Sequence, residues 1–215
     1  MARRYADLSH RSRDDLTPLA RHVSGNGDGP RKVGPADALA AARRKFLHHE
    51  RVDMNELAQE LGVGRATLYR WVGSRDELLG EVLWSLSEHG LAAAREHAKG
   101  NGADWFLSIY NAFGDVIVES SALRHFAATE PECALRVMTT QASPQQRRVI
   151  NYYRDLLVEA AETKGLQLRL DPDTLAFVLV RLAESFLWTD LITGEEPDMT
   201  KAREVARIVL MGAAS

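Results

Sequence analysis

A chain of 215 residues, of which 45% are hydrophobic and 27% charged, has the composition of an ordinary globular protein and is long enough to bury a substantial core. The single cysteine, Cys133, excludes an intramolecular disulfide and is typical of the cytoplasm, where we expect the protein to act. The longest strongly apolar run, residues 176–180, is far too short to span a membrane. We therefore expect no membrane partner.

The net charge of −3 conceals an asymmetry along the chain. Residues 1–75 carry 14 Lys and Arg against 9 Asp and Glu, whereas the remainder carries 13 against 21. A basic N-terminal part beside an acidic remainder favours a nucleic-acid-binding region joined to a region with another task.

The first 34 residues are polar and end in the sequence S-G-N-G-D-G-P-R-K-V-G, which predicts a flexible extension over residues 1–34. Four arginines in this extension are candidates for additional phosphate or minor-groove contacts: Arg3, Arg4, Arg11 and Arg13. A solvated tail without such contacts is the alternative.

Two short helices are predicted after this extension. The first covers residues 35–50 and has a proline near its first turn. The second begins at Asp53, which stands three residues before Glu56 in the spacing of a capping box. It ends at Gly62, because glycine readily adopts the positive φ that terminates a helix.

A third short helix is predicted from Arg65 to Trp71, with Leu68 and Val72 facing inward and polar side chains facing outward. Two helices joined by a Gly-containing turn, the second displaying Arg, Thr and Tyr, are the helix-turn-helix design for the DNA major groove. Arginine pairs with guanine edges, whereas Thr, Tyr and backbone N–H groups hold phosphates. On spacing alone, an ordinary helical hairpin with a solvated polar face is an equally good interpretation.

The sequence at this turn, G-V-G-R-A-T-L-Y-R-W-V-G-S-R-D-E-L, resembles the helix-turn-helix signature of the TetR family of bacterial repressors. The matching residues are Gly62, Val63, Thr67, Leu68, Tyr69, Glu77 and Leu78, preceded by Glu56, Leu57 and Ala58. The chain departs from the usual Ser, Gly, His, Phe and Lys of the signature at Gly64, Ala66, Trp71, Val72 and Arg75. The predicted DNA-binding residues are Gly64, Arg65, Ala66, Thr67, Tyr69, Arg70, Trp71 and Arg75.

The rest of the chain predicts further helices and no credible strand. A capping box of Ser74 and Glu77 opens a long helix to about Lys99. Residues 166–170 alternate like a strand, but the run is so short that we interpret it as a loop. The chain is therefore predicted to be all-α, with a DNA-binding head and a helical ligand-binding and dimerisation domain. The head is predicted to cover residues 35–80 and the larger domain residues 81–215. The helices predicted after residue 99 cover residues 103–120, 123–129, 133–140, 143–163, 171–193 and 198–211.

The larger domain suggests two further tasks, dimerisation and ligand sensing. In the resembled family the last long helix pair forms a four-helix dimer interface, which implies that residues 143–165 and 171–194 form the interface of a homodimer here. Burial of these faces in the core of a single chain is the alternative. Eight side chains are predicted to line an apolar ligand cavity, with ordinary core packing as the alternative: Trp105, Phe106, Tyr110, Phe113, Phe126, Met138, Tyr152 and Phe177. The candidate polar anchors of this cavity are Tyr110, Asn111, Arg124 and His125.

The segment E-P-E-C-A-L-R-V-M-T-T-Q-A-S-P-Q-Q-R-R-V-I is similar to a TetR subfamily associated with control of quorum-quenching lactonases. That resemblance implies an acyl-homoserine lactone or γ-lactone ligand. We thus expect a ligand-responsive, sequence-specific transcriptional repressor that binds a palindromic double-stranded DNA operator and is released by a small apolar ligand. A non-specific DNA-packaging or protein-docking module is the alternative. The sequence contains none of the common catalytic motifs, and we expect no enzymatic activity, cofactor or metal.

Overall fold

The computed structural model describes residues 33–212 and, before them, Leu19. Most of the predicted extension, including Arg3, Arg4, Arg11 and Arg13, lies outside the described residues. Residues 33–212 form eleven helices and no extended strand, which confirms the all-α prediction. Within that range, no helix combines the length and hydropathy needed to cross a membrane.

The chain packs into two compact units. The first extends to Val82 and includes the short segment Ala142–Pro144, and the second contains Leu83–Gln141 and the residues from Gln145 onward. A single long helix contributes to both units, because the boundary between Val82 and Leu83 falls inside it.

The first unit contains three short helices and the start of that long one: α1 (Pro35–Leu47), α2 (Met54–Glu60), α3 (Arg65–Val72) and α4 (Arg75–Glu96). Their buried faces are apolar, with Ala38, Phe46 and Leu57 all at most 4% exposed. At the surface, the Lys45 ammonium lies 3.6–3.7 Å from carboxylate oxygens of Glu50, Glu56 and Glu60. This cluster of charges ties α1 to α2.

The second unit contains the remaining helices: α5 (Gly102–Glu119), α6 (Ser121–Thr129), α7 (Pro131–Thr139), α8 (Gln145–Thr163), α9 (Pro172–Leu187), α10 (Thr189–Ile192) and α11 (Met199–Gly212). Helix α9 packs against α8 and α11, and α5 packs against the same two helices. The centre of this unit is aromatic, because the rings of Phe106, Tyr110 and Tyr153 pack together with centroids 5.5–6.3 Å apart; Phe106 and Tyr110 are stacked, and Tyr153 is tilted against both.

One predicted helix, over residues 171–193, proves to be two. The backbone of Trp188 has φ −109° and ψ 20°, which ends α9, and the short α10 starts at the next residue. The Trp188 N–H still donates to the Glu184 carbonyl at 3.1 Å, so the break leaves that backbone group satisfied. Periodicity could not reveal the break, since apolar residues continue at helical spacing through it.

Candidate functional site

The turn between α2 and α3 is built by local backbone signals. The Asp53 carboxylate accepts the N–H groups of Asn55 and Glu56 at 2.7 and 3.1 Å, which fixes the start of α2. Gly62 has φ +65° and so ends that helix in the left-handed region, where glycine carries no Cβ penalty. The Val63 N–H then donates to the Ala58 carbonyl at 3.0 Å, which closes the turn.

Helix α3 has one buried face and one open face. Leu68 and Val72 are fully buried and attach the helix to its unit. Arg65, Ala66, Tyr69 and Arg70 are exposed on the opposite side, whereas Thr67 and Trp71 are half-buried. The predicted DNA-binding side chains of α3 are thus brought together on one accessible surface.

The first turn of α3 carries no side-chain cap. Gly64 occupies the cap position with φ −70° and ψ 146°, and has no side chain to accept the backbone N–H groups that follow. Such an open helix start beside the exposed Arg65 is suited to a phosphate, because N–H groups and helix dipole both attract anions.

The junction after α3 holds the next predicted DNA-binding residue, Arg75, in a structural contact. Its Nε donates to the Val52 carbonyl at 2.6 Å, and the side chain is half-buried. Ser74 and Glu77 form the predicted capping box, with reciprocal bonds of 2.8 and 3.2 Å. Arg75 therefore secures the start of α4 to the chain before α2, and its predicted contact with DNA stays a prediction.

The second unit contains a partly open cavity of about 90 Å³. A single water needs roughly 10–15 Å³ on the same kind of measure, so the space exceeds that of one water several times. Its lining is mostly apolar and comes from α4 to α9 and the chain that follows. The lining residues are Leu83, Ser87, Tyr110, Phe113, Gly114, Ile117, Leu123, Met138, Gln145, Gln146, Val149, Tyr153, Val180, Ala183, Glu184, Leu187, Trp188 and Met199.

Three of the eight predicted ligand-binding residues line this cavity: Tyr110, Phe113 and Met138. The hydroxyl of Tyr110 donates to the Leu179 carbonyl at 2.9 Å, and burial raises the pKa of the phenol. Tyr110 therefore lines the cavity as a neutral phenol at physiological pH, and its hydroxyl proton is already used in the hydrogen bond to the backbone.

The other five predicted residues lie outside the lining of this cavity, and their contact with a ligand stays a prediction: Trp105, Phe106, Phe126, Tyr152 and Phe177. Phe106 is fully buried in the aromatic core, and Phe177 faces outward with 52% of its surface exposed. The ring of Trp105 contacts two cations, the Lys164 ammonium at 5.5 Å and the Arg95 guanidinium at 6.0 Å from its centroid. Helical spacing identified these side chains as apolar positions, but it does not distinguish a cavity wall from solid core.

Of the four candidate polar anchors, only Tyr110 lines the cavity. Arg124 and His125 are exposed on α6, and the Arg124 guanidinium donates to the Val118 carbonyl, so neither lines the cavity. Asn111 lies outside the lining as well.

The polar lining residues that sequence reasoning missed are Ser87, Gln145, Gln146 and Glu184. Gln146 Nε2 donates to the Glu184 carboxylate at 3.2 and 3.3 Å, and the Arg181 guanidinium donates to the same carboxylate at 2.7 Å. Burial raises the pKa of Glu184, while Arg181 and Gln146 oppose that shift. The signal for Glu184 was present in the sequence, because this acid interrupts the apolar face of α9 one turn after Val180.

Comparison with known proteins identifies the family. The family described as Tetracyclin repressor-like, C-terminal domain, matches residues 101–211. The transcriptional repressor QsdR of R. erythropolis, from the TetR family, is 30% identical with a TM-score of 0.78, and the match covers 85% of this chain and 96% of that one.

A TetR-family transcriptional regulator from Rhodococcus sp. is 21% identical with a TM-score of 0.51, covering 84% of this chain and 98% of that one, and shows a likeness of fold. Comparison with curated protein sequences gives no match. The family match and the similarity to QsdR agree with the helix-turn-helix geometry, and the chain therefore belongs to the TetR family of transcriptional regulators, which are DNA-binding proteins rather than enzymes.

Proposed function

We propose that this regulator is a homodimeric repressor that binds a palindromic operator and releases it when a small apolar ligand enters the cavity. The observation that carries this proposal is the apolar cavity itself, two of whose lining residues, Leu83 and Ser87, belong to α4. The same helix begins at Arg75, in the unit that presents α3. A ligand against Leu83 and Ser87 thus acts directly on the helix that continues into the DNA-binding unit.

Helix α3 is the proposed reading element for DNA. Arg65 is exposed at its start, where recognition helices of this design place base contacts. Tyr69, one turn later, is 42% exposed, which supports a contact of its hydroxyl with a phosphate. We assign base recognition to Arg65 and backbone positioning to Tyr69 and the open N–H groups of α3.

The proposed dimer interface is formed by α9 and α11. These two packed helices expose large apolar side chains: Phe177 and Val178 on α9 are 52% and 38% exposed, and Ile208 and Met211 on α11 are 70% and 53% exposed. On α8, which the family resemblance had implied as a partner of α9, Val158 is 36% exposed. We infer that a second copy of the chain covers the face of α9 and α11, because TetR-family regulators act as dimers.

The proposed switch is a change in the separation of the two α3 helices. Two recognition helices enter successive major grooves when they are about 34–36 Å apart. Displacement of α4 by the ligand alters that distance in the dimer. Allosteric coupling is typically about 1–3 kcal/mol, and a coupling of this size weakens operator binding by about 5–150-fold.

A lactone is the proposed ligand class. The similarity of residues 130–150 to regulators associated with quorum-quenching lactonases supports an acyl-homoserine lactone or a γ-lactone. Met138 and Gln145, which belong to this segment, line the cavity.

The experiment is genome-wide capture of bound DNA followed by footprinting, with and without lactone. We expect a protected palindrome with two half-sites one helical turn apart, and loss of protection on addition of lactone. Uniform coverage of DNA would instead indicate a packaging protein. Ala183→Leu, which fills the cavity, should retain operator binding and lose the response, whereas Ala92→Leu on the exposed side of α4 should retain both.

A further inference from the structure

Residues 189–198, the strap, connect α9 to α11 and include the single turn of α10. No residue of the strap is buried, and Ile192 within it is 63% exposed. The two residues that flank the strap, Trp188 and Met199, both line the cavity. A movement of the strap is therefore transmitted directly to two residues of the cavity wall.

Hydrogen bonds hold the strap at its two ends. Among the described residues, its partners outside the strap lie at 185–188 on one side and 200–202 on the other. Gly194 donates its N–H back to the Thr189 carbonyl, and no hydrogen bond to a described residue follows until Asp198. Segments with few buried contacts and unprotected backbone open at a low cost in free energy, and the lids of binding sites are drawn from them.

Met199 packs on α5 at Gly114, which is another residue of the cavity lining. A Cβ added at Gly114 would lie 3.1 Å from Met199 Cε, so the methionine methyl group occupies space that any larger residue at 114 would take. Met199 is only half-buried, and a methionine side chain is unbranched and flexible. Rotation of this side chain can therefore release the contact without unfolding α11.

The strap is acidic. It carries Asp190, Glu195, Glu196 and Asp198 and no Lys or Arg. Asp198 accepts N–H groups at the start of α11 and pairs with Lys201 at 3.1 Å, whereas the other three acids have no ion pair among the described residues. A field of one sign beside an entrance favours solutes of opposite or no charge over those of the same charge.

We propose that the strap is the entrance gate of the cavity, which opens when Met199 leaves Gly114 and admits neutral solutes faster than anionic ones. The helix break at Trp188 and the positive φ of Gly194, +78°, supply points at which the backbone can turn. The inference rests on the proposed function in one respect, that the cavity takes up a ligand from solution.

The test measures access to the cavity in the full-length protein, without ligand or DNA. Val180 lines the cavity and is 4% exposed, so Val180→Cys in a Cys133→Ala background places the one thiol of the chain at the cavity wall. Methyl methanethiosulfonate, a small neutral reagent, modifies this thiol when it enters the cavity. The rate of modification, followed by mass spectrometry, therefore reports how often the cavity opens.

Met199→Ala should raise this rate by about tenfold, the factor that corresponds to the loss of about two buried methylene-sized groups from the closed state. Gly114→Ala should raise it as well, because the added methyl group displaces Met199 without enlarging the cavity. The matched control is Thr200→Ala, which alters the next residue of α11, exposed and outside the lining, and should leave the rate unchanged.

The charge of the strap is tested with a sulfonate-bearing methanethiosulfonate of similar size. Relative to its reaction with a free thiol, this anionic reagent should modify the cavity thiol more slowly than the neutral one. Glu195→Lys combined with Glu196→Lys should raise the anionic rate and leave the neutral rate unchanged, and high salt should shrink the effect. The control with the same change of charge is Glu162→Lys combined with Glu204→Lys, two exposed acids outside the strap.

Hydrogen exchange locates the motion. Peptides that cover the strap should exchange faster than those that cover the largely buried residues 175–180 of α9, and Met199→Ala should accelerate exchange in the strap but not in α9. Exchange in the strap as slow as in α9 would show that it is held closed, for example by a second copy of the chain, and would overturn the inference.

Two results of the labelling experiment would also overturn it. A rate that neither Met199→Ala nor Gly114→Ala changes would show that solutes reach the cavity by another route, and absence of labelling in every variant would show that the strap does not open. Equal relative rates for the two reagents would remove the selection by charge. Failure of the proposed function is distinct from all of these, because it would appear as the absence of a protected palindrome in DNA.

Discussion

The helix-turn-helix unit and the cavity-bearing unit differ in the range of the interactions that build them. In the first, Asp53 caps α2 through residues two and three positions away, and Gly62 ends the same helix by its own φ angle. In the second, two residues that line the cavity, Gln146 and Glu184, are joined by a hydrogen bond across 38 positions of the chain. Short-range signals thus form the DNA-binding surface, whereas the cavity exists only when distant helices pack together.

The largest expected effect comes from a comparison of Phe106 and Phe177, which the sequence pattern alone predicts to be equally buried. Phe106→Ala should lower the free energy of unfolding by about 3–5 kcal/mol, because the side chain is fully buried in the aromatic core. Phe177→Ala should change the stability of an isolated subunit by at most about 0.5 kcal/mol, because the side chain is half-exposed. Denaturant unfolding at low protein concentration measures both.

The same pair also tests the proposed dimer face. Phe177→Ala should raise the dissociation constant of the dimer in analytical ultracentrifugation. An unchanged dimer, or equal destabilisation by the two substitutions, would contradict the placement of Phe177 on an interface.

A close approach within the first unit gives the next largest effect. A Cβ added at Gly80 of α4 would lie 2.5 Å from the Cβ of Ser143, which is too close for two carbon atoms. Overpacking of this kind typically costs about 1–3 kcal/mol. The intrinsic gain of alanine over glycine in a helix is about 1 kcal/mol. We therefore expect Gly80→Ala to lower thermal stability.

Ser143→Gly in the Gly80→Ala background provides the control, because it removes the side chain that the new methyl group would meet. A double-mutant cycle should give a favourable coupling energy between the two substitutions. Additive effects would show that the contact between Gly80 and Ser143 does not limit the packing.

At the DNA-binding surface we expect effects on binding rather than on folding. Arg65→Ala should lower the discrimination between the operator and a variant site by about 1–3 kcal/mol, because we assign to Arg65 a contact with a guanine in each half-site. Tyr69→Phe should weaken all sequences alike, because a phosphate contact carries no base information. Mobility-shift titrations on matched and mismatched sites measure both changes. Undiminished sequence selectivity in Arg65→Ala would remove that residue from the reading role.

The two regions should respond to pH in opposite directions. Backbone hydrogen bonds from Glu56 and Asn55 hold the pKa of Asp53 below its usual 3.8. Its contribution to stability is therefore complete above that value and is lost as the pH falls through the lower native pKa. Burial raises the pKa of Glu184 above its usual 4.5. Its contribution is complete below that value and is lost as the pH rises through the higher native pKa.

Substitutions that keep the hydrogen-bonding shape isolate these two contributions. Asp53→Asn retains a good helix cap and should remove part of the loss of stability in acid. Glu184→Gln should remove part of the loss of stability as the pH rises through the native pKa of Glu184. Equilibrium unfolding across this pH range measures both slopes, and a slope unchanged by Glu184→Gln would show that burial of this carboxylate does not affect stability.

The sequence by itself determined the all-α fold, the turn between α2 and α3 and the exposure of Arg65, Tyr69 and Arg70, whereas Thr67 and Trp71, also predicted to face outward, are half-buried. The reason is that capping boxes, helix-ending glycines and the burial of Leu68 and Val72 act over one or two helical turns. The family resemblance rested on the same short segment, and the comparisons confirmed it.

Only the tertiary structure decided which apolar side chains line the cavity and which face solvent. Phe106 and Phe177 both occupy helix positions typical of a buried face, yet one is in the core and the other is exposed, because neighbouring helices cover only part of each surface. The break at Trp188 and the approach of Gln146 to Glu184 likewise depend on packing between helices that are distant in sequence. Helical periodicity in the sequence indicates which side chains lie on an apolar face, but the residues that each one contacts are determined only when the helices pack together.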